Sequence, residues 1–132
     1  MGGNDLTDSA MTPTEPARLR LRILFGPGAM MGPGKADLMA HIRDTGSISA
    51  AGRRMGMSYR RAWALVEEMN SIFRTPLVEP VRGGAGGGGA RLTEAGEAVL
   101  SAYRGVEAKA AAAGDAELAV LRGLLRDSPG PG

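Results

Sequence analysis

Cysteine is absent from this chain of 132 residues, which excludes a disulfide framework, a thiolate zinc site, an iron–sulfur cluster and a catalytic thiol. Histidine occurs once, as His41, so neither a multi-histidine metal site nor a histidine-dependent catalytic pair can be assembled. Aromatic residues make up only 4%, and the core must be built from Ala, Leu, Val, Ile and Met. No apolar run approaches the roughly 18 residues that span a bilayer, and the N-terminus lacks the basic start and apolar stretch of a signal peptide. The expectation is a cytoplasmic protein with no membrane partner. The length sets one compact domain with short tails.

Lysine is scarce as well. Of 16 basic residues only Lys35 and Lys109 are lysines, and the formal net charge is +2. The distribution matters more than the total: between Thr45 and Val66 the chain carries Arg53, Arg54, Arg60 and Arg61 and no acid. Guanidinium groups favour bidentate contacts to phosphates or guanine edges. A Gly-rich run ending in Gly34-Lys35 looks superficially like a phosphate-binding loop, but Ala29 stands where the first glycine is required and Ala36 where Ser or Thr is required. No nucleophile, base and oxyanion-donor set occurs at motif spacing. The chain is therefore expected to be no enzyme, with no catalytic residue, cofactor or metal.

Residues 1–17 are polar, carry Pro13 and Pro16 and show no apolar period; they read as a disordered leader. Arg18 to Phe25 alternates arginine with Leu19, Leu21 and Ile23, the pattern of a strand with one face on the core. Gly26 to Gly34 reads as a loop. A first helix is expected over Lys35 to Thr45, stopped by Gly46, with Leu38, Ile42 and either Met39 or His41 inward. Ser47 caps a short helix, Ile48 to Met55, and Gly56 breaks it. Ser58 caps a third, running to about Phe73, with Ala62, Val66, Met69 and Phe73 on its inner stripe. Leu77 to Arg82 and Ala90 to Leu92 read as two strands around a glycine tip, Gly83 to Gly89, with Pro80 confining the first to an edge. Thr93 caps a long helix, Glu94 to about Ala113, and a short amphipathic one with Leu118, Leu121, Leu124 and Leu125 follows before the polar tail DSPGPG.

Two short helices, a third with a basic and aromatic first turn, and a two-stranded hairpin form the layout of a winged helix-turn-helix, mostly α with a small β-wing and a long C-terminal dimerisation helix. Residues 18–113 would form this domain and residues 114–132 a short helix and disordered tail. The N-terminal turn of a helix in the major groove must carry long hydrogen-bonding side chains while its opposite stripe stays anchored. Ser58, Tyr59, Arg60 and Arg61 are the expected base-reading residues, and Ser47, Ser49, Arg53 and Arg54 the expected backbone contacts. Arg82, Gly83, Gly84, Gly86, Gly87, Gly88, Gly89 and Arg91 would form the wing. Trp63 is read as a packed anchor between helix and wing. Leu19, Leu21, Ile23, Val99, Tyr103 and Val106 are the expected surface of a two-fold homodimer, because one small domain has little surface left on which to bury the closing helices.

The segments TGSISAA (45–51), GMSYRRAW (56–63), Glu68-Met69-Asn70, Leu77-Val78-Glu79 and GGAGGGGARLTEAG (83–96), in this order, closely resemble the DNA-binding domain of the molybdate-responsive transcriptional regulators, the ModE family, itself similar to the LysR-type winged helix domain. The resemblance covers about Leu21 to Ala110. It implies a sequence-specific regulator that binds double-stranded DNA through Ser58 to Arg61, uses Gly83 to Gly89 as the wing and dimerises through the helix that starts at Glu94. Family members continue into a molybdate-binding region, and only about twenty residues follow Ala110 here. Direct molybdate binding is accordingly not expected, although a link to molybdenum-related genes is. The alternative is an architectural or protein-interaction module that uses the winged fold without reading sequence.

Overall fold

The computed structural model describes residues 17–84 and 87–126. The leader, apart from Ala17, and the last six residues lie outside them, as do Ala85 and Gly86. The chain forms β1 (Ile23–Gly26), β2 (Ala29–Met31), α1 (Pro33–Thr45), α2 (Ile48–Arg54), α3 (Tyr59–Ile72), β3 (Val78–Gly84), β4 (Gly87–Leu92), α4 (Glu94–Ala113) and α5 (Asp115–Gly123). The strands make two separate antiparallel hairpins, β1–β2 and β3–β4. This is a winged helix-turn-helix with an appended helical pair.

Two expectations about the N-terminal segment are corrected. The strand is Ile23–Gly26 rather than Arg18 to Phe25, and Ala29–Met31, expected as loop, pairs back on it with Ile23 opposite Met31. Pro27 presets its own φ and Gly28 supplies φ +74°, the combination that a tight type II turn needs. The glycines therefore sit in the turn, and Ala29, Met30 and Met31 are free to enter the ladder. Because β2 is only three residues long, the ladder starts at Ile23 and does not reach back over Arg18 to Arg22. The Leu21 carbonyl instead accepts a hydrogen bond from the Tyr103 hydroxyl at 2.5 Å.

Local chemistry sets the helix ends. Pro33 stands at the start of α1, and Gly46, at φ 73°, closes it with its N–H on the Ile42 carbonyl. The Ser47 hydroxyl accepts from the Ala50 N–H, Ser58 from the Arg61 N–H and Thr93 from the Gly96 N–H, each capping the helix that follows. The Thr93 cap and the helix Glu94–Ala113 coincide with the sequence reading. On α1 the inward residue is Met39, fully buried, while His41 is half-buried. On α3 the buried stripe gains Leu65 beside Ala62, Val66 and Met69, and Phe73 lies half-buried at its end.

The core joins Leu38, Met39 and Ile42 of α1 to Ile48 and Ala51 of α2, Val66 and Met69 of α3, Leu77 and Val78 at the wing base, and Leu100 and Tyr103 of α4. Two glycines allow the elements to meet. A Cβ on Gly52 would stand 2.9 Å from the Ala62 Cβ, and one on Gly96 would stand 2.2 Å from the Leu77 carbonyl oxygen. Asn70 then ties α3 to the wing. Its Oδ1 accepts from the Leu77 and Val78 N–H groups at 2.8 and 3.2 Å, and its Nδ2 donates to the Val78 carbonyl at 3.1 Å.

Asn70→Ala leaves those backbone groups unpaired at a partly buried site and is expected to cost about 2–4 kcal/mol, read as a lower urea midpoint. Tyr103 yields a pH prediction. Burial foremost, with the Glu107 charge adding, pushes its hydroxyl from 10 up to about 12. The folded state holds this proton more tightly than the unfolded chain, so the associated stability is complete below pH 10 and disappears as pH rises through about 12. Thermal melts across that window should fall more steeply for the wild type than for Tyr103→Phe.

Candidate nucleic-acid interface

The α2–α3 pair places a cationic surface by anchoring its other side. Ala62, Leu65, Val66 and Met69 are buried, so at 3.6 residues per turn the opposite face of α3 points outward. Ser58, Tyr59, Arg60 and Arg61 are all exposed there, with Tyr59 61% accessible. No acid lies in the first turn of α3. Arg54, Arg60 and Arg61 form no ion pair among the described residues, whereas several acids elsewhere are engaged: Asp37 with Arg104 at 2.8 Å, Glu68 with Lys35 at 3.0 Å and Glu79 with Arg91 at 2.7 Å. The local field at the start of α3 is therefore positive.

The expected backbone residues flank this turn. Ser47 is engaged as the cap of α2, and the Arg53 guanidinium donates to the Ser49 hydroxyl at 3.0 Å, which holds Arg53 along the outer face of α2. The wing shares a groove with the start of α2 and with Tyr59 and Trp63 of α3. Its strands run farther into the glycines than the sequence reading had them, to Gly84 and from Gly87, with those two residues paired. Of the expected tip, Gly83 to Gly89, only Ala85 and Gly86 lie outside the described residues. Gly83, Gly84, Gly87, Gly88 and Gly89 belong to strands. Arg91 faces Glu79 across the hairpin and is held by it, which leaves Arg82 as the exposed wing arginine without an ion pair among the described residues. The wing is locked to the helix-turn-helix where the Ala90 N–H donates to the Gly46 carbonyl at 2.9 Å. A Cβ on Gly89 would come within 2.8 Å of that same oxygen.

Trp63 departs from its expected role. It lies in the groove between α3 and the wing, edge-to-face with Tyr59 at 6.2 Å between ring centroids, and it is 37% exposed. A wing of Pro80, Val81 and glycine is too slight to enclose an indole. The expected dimer residues divide similarly. Tyr103 is 3% exposed within the protomer and cannot serve as an outer surface. Ile23 and Val99 pack against the core, and Leu19 and Leu21 are half-buried. Val106 is exposed, together with Val120, Leu121, Leu124 and Leu125 at the C-terminal end.

Three structural residues carried no assigned role in the sequence reading. Lys35 is 3% exposed, its ammonium donating to the Met30 carbonyl at 2.7 Å and to Glu68. Asn70 and Gly96 secure the wing. A lysine retained among arginines and an asparagine late in an amphipathic helix were the available signals, but neither names its partner.

The geometry is that of a helix-turn-helix domain with a wing. Residues 36–97 match the bacterial regulatory helix-turn-helix protein, lysR family. The molybdenum-pterin-binding protein MopB of Rhodobacter capsulatus is 48% identical over 86 residues, covering 65% of this chain and 32% of MopB. MopA of the same organism is 41% identical over 73 residues, 55% of this chain and 28% of MopA. The DNA-binding transcriptional dual regulator ModE of Escherichia coli K12 is 42% identical over 71 residues, 54% of this chain and 27% of ModE. Residues 36–97 are thus similar to the LysR-type and ModE helix-turn-helix, and the chain spans between 27% and 32% of the length of these relatives. No helix among the described residues is long and apolar enough to cross a membrane.

Truncating Trp63 to Ala should cost about 1–2 kcal/mol, below the ~3–5 kcal/mol of a fully enclosed aromatic, because part of the indole already meets water. Chemical denaturation of the two proteins measures this.

Proposed function

We propose that this chain is a sequence-specific DNA-binding regulator of transcription, with the first turn of α3 in the major groove and the wing on the adjacent backbone or minor groove. The observation that carries the reading is the first turn of α3, where Arg60 and Arg61 stand exposed without ion pairs while the opposite stripe of the helix is buried. Water and counterions are the partners such guanidiniums have now, and guanine edges and phosphates exchange for them favourably. Ser58 to Arg61 read bases in this scheme, while Ser47, Ser49, Arg53, Arg54 and Arg82 hold the phosphates. The names of the relatives support a regulatory role tied to molybdenum. The residues that the family model matches are the helix-turn-helix ones, so this region is assigned DNA rather than molybdate as its ligand.

A homodimer completes the proposal. Val106, Val120, Leu121, Leu124 and Leu125 are apolar and exposed on the closing helices, a surface that a second copy would cover. Two recognition helices related by a two-fold axis would lie about one DNA turn apart, roughly 34 Å, and read a near-palindrome.

Selection from a random duplex library at about 150 mM salt tests both parts, because non-specific electrostatic binding is already weakened there. An enriched palindrome is the expected result. An enriched half-site alone would overturn the dimer, and binding that vanishes with salt and enriches nothing would move the chain to the architectural class. On the selected site, Arg60→Ala or Arg61→Ala should lose about 1–3 kcal/mol and relax base preference, while Arg53→Ala weakens all sequences alike.

A further inference from the structure

On the side of α3 away from the wing, a cavity of about 730 Å³ opens between the start of α1, the α2–α3 turn and Arg20 and Arg22. Its size is that of a small-molecule site rather than of a single ion. Its lining is of two kinds. Met30, Met57 and Leu65 supply apolar wall, and five basic side chains face two carboxylates. Both carboxylates are engaged: Asp37 with Arg104 and Arg20, and Glu68 with Lys35. Arg22, Arg54 and Arg61 line the same space without an ion pair among the described residues. His41 lines the cavity as well. Gly34 and Lys35 contribute the first turn of α1, which has no side-chain cap and no acid. The arginines without ion pairs and the acid-free first turn of α1 favour negative charge.

We propose that this cavity binds a small phosphate ester with an apolar body, its phosphate held among Arg22, Arg54 and Arg61 and its body against Met57 and Leu65. A dianion suits three guanidiniums that lack partners, and an apolar body suits a wall that a free phosphate would leave unused. The residues concerned differ from the wing-side surface except for Arg54 and Arg61, which belong to both. Occupancy would therefore draw those two side chains away from DNA, a consequence that rests on the DNA-binding reading. The site itself does not.

The test is an amide-resolved NMR titration of the full chain, without DNA, using phenyl phosphate as probe and inorganic phosphate and benzoate as comparators. Saturable shifts are expected at Gly34, Lys35, Gly56 and Met57, with phenyl phosphate binding more tightly than either comparator. Arg22→Ala and Arg54→Ala should each weaken it by about tenfold, the equivalent of one charge-assisted contact. Shifts confined to the wing side of α3, or affinity unchanged in the double variant, would overturn the site. Equal affinity for inorganic phosphate would overturn the apolar part of the ligand. Because both variants alter exposed side chains, their amide spectra without probe serve as the check that the fold is intact. A duplex added afterwards should compete with phenyl phosphate, and a failure of that step alone would count against the DNA reading and leave the cavity standing.

Discussion

The close crossing of α2 and α3 at Gly52 and Ala62 is the constraint from which the rest of the surface follows. Any side chain on Gly52 would have to occupy the space that Ala62 holds, so this glycine sets how near the two helices lie. With α2 in place, the tight turn through Gly56, at φ 70°, directs the chain into α3. Ser58 then satisfies one of the free N–H groups of that helix, that of Arg61. The stripe of Ala62, Val66 and Met69 is drawn into the core, and the basic and aromatic first turn has no direction left but outward. Asn70 passes the same order to the wing by pairing with the backbone where β3 begins, and Gly96 lets α4 close over Leu77. α3, the wing and α4 are therefore positioned by one chain of close contacts rather than by separate loops.

Electrostatics follow from this packing. Carboxylates in the body of the domain are tied to cations around them, with Asp37 between Arg104 and Arg20 and Glu68 on the buried Lys35. What remains is a band of arginines on α2, α3 and the wing that the protein itself does not neutralise. Ion pairs at such partly exposed positions contribute modestly to stability. Their larger effect here is to remove negative charge from the neighbourhood of the free arginines, which raises the attraction for a polyanion and makes it strongly dependent on salt.

Much of the fold could be read before any coordinates, for physical reasons that are local. Ser47, Ser58 and Thr93 each accept from the N–H group three residues ahead, and Gly46 provides its own left-handed turn, so these helix boundaries are decided within a few residues. The α3 stripe follows from its period. The departures have non-local causes. Arg18 to Arg22 carries a strand pattern but lacks a neighbour long enough to pair with it, and its Leu21 carbonyl goes to Tyr103, 82 residues away. Ala29–Met31 was masked by the glycines around it. Arg91 brackets the wing in sequence, yet the antiparallel register sets it opposite Glu79. Tyr103 lies on an apolar stripe that periodicity alone cannot assign to the inside of one protomer or to the face between two.

Sequence alone determined where the helices lie to within a turn, α1 starting at Pro33 rather than at Lys35, and that the first turn of α3 is basic, because caps, periodicity and composition act over one or two turns. Tertiary structure decided which cations are neutralised, how exposed Trp63 is, which apolar residues remain outside and that a charged cavity opens beside α1. Those depend on which distant segments come to share a surface, and neither a periodic pattern nor a cap carries that information.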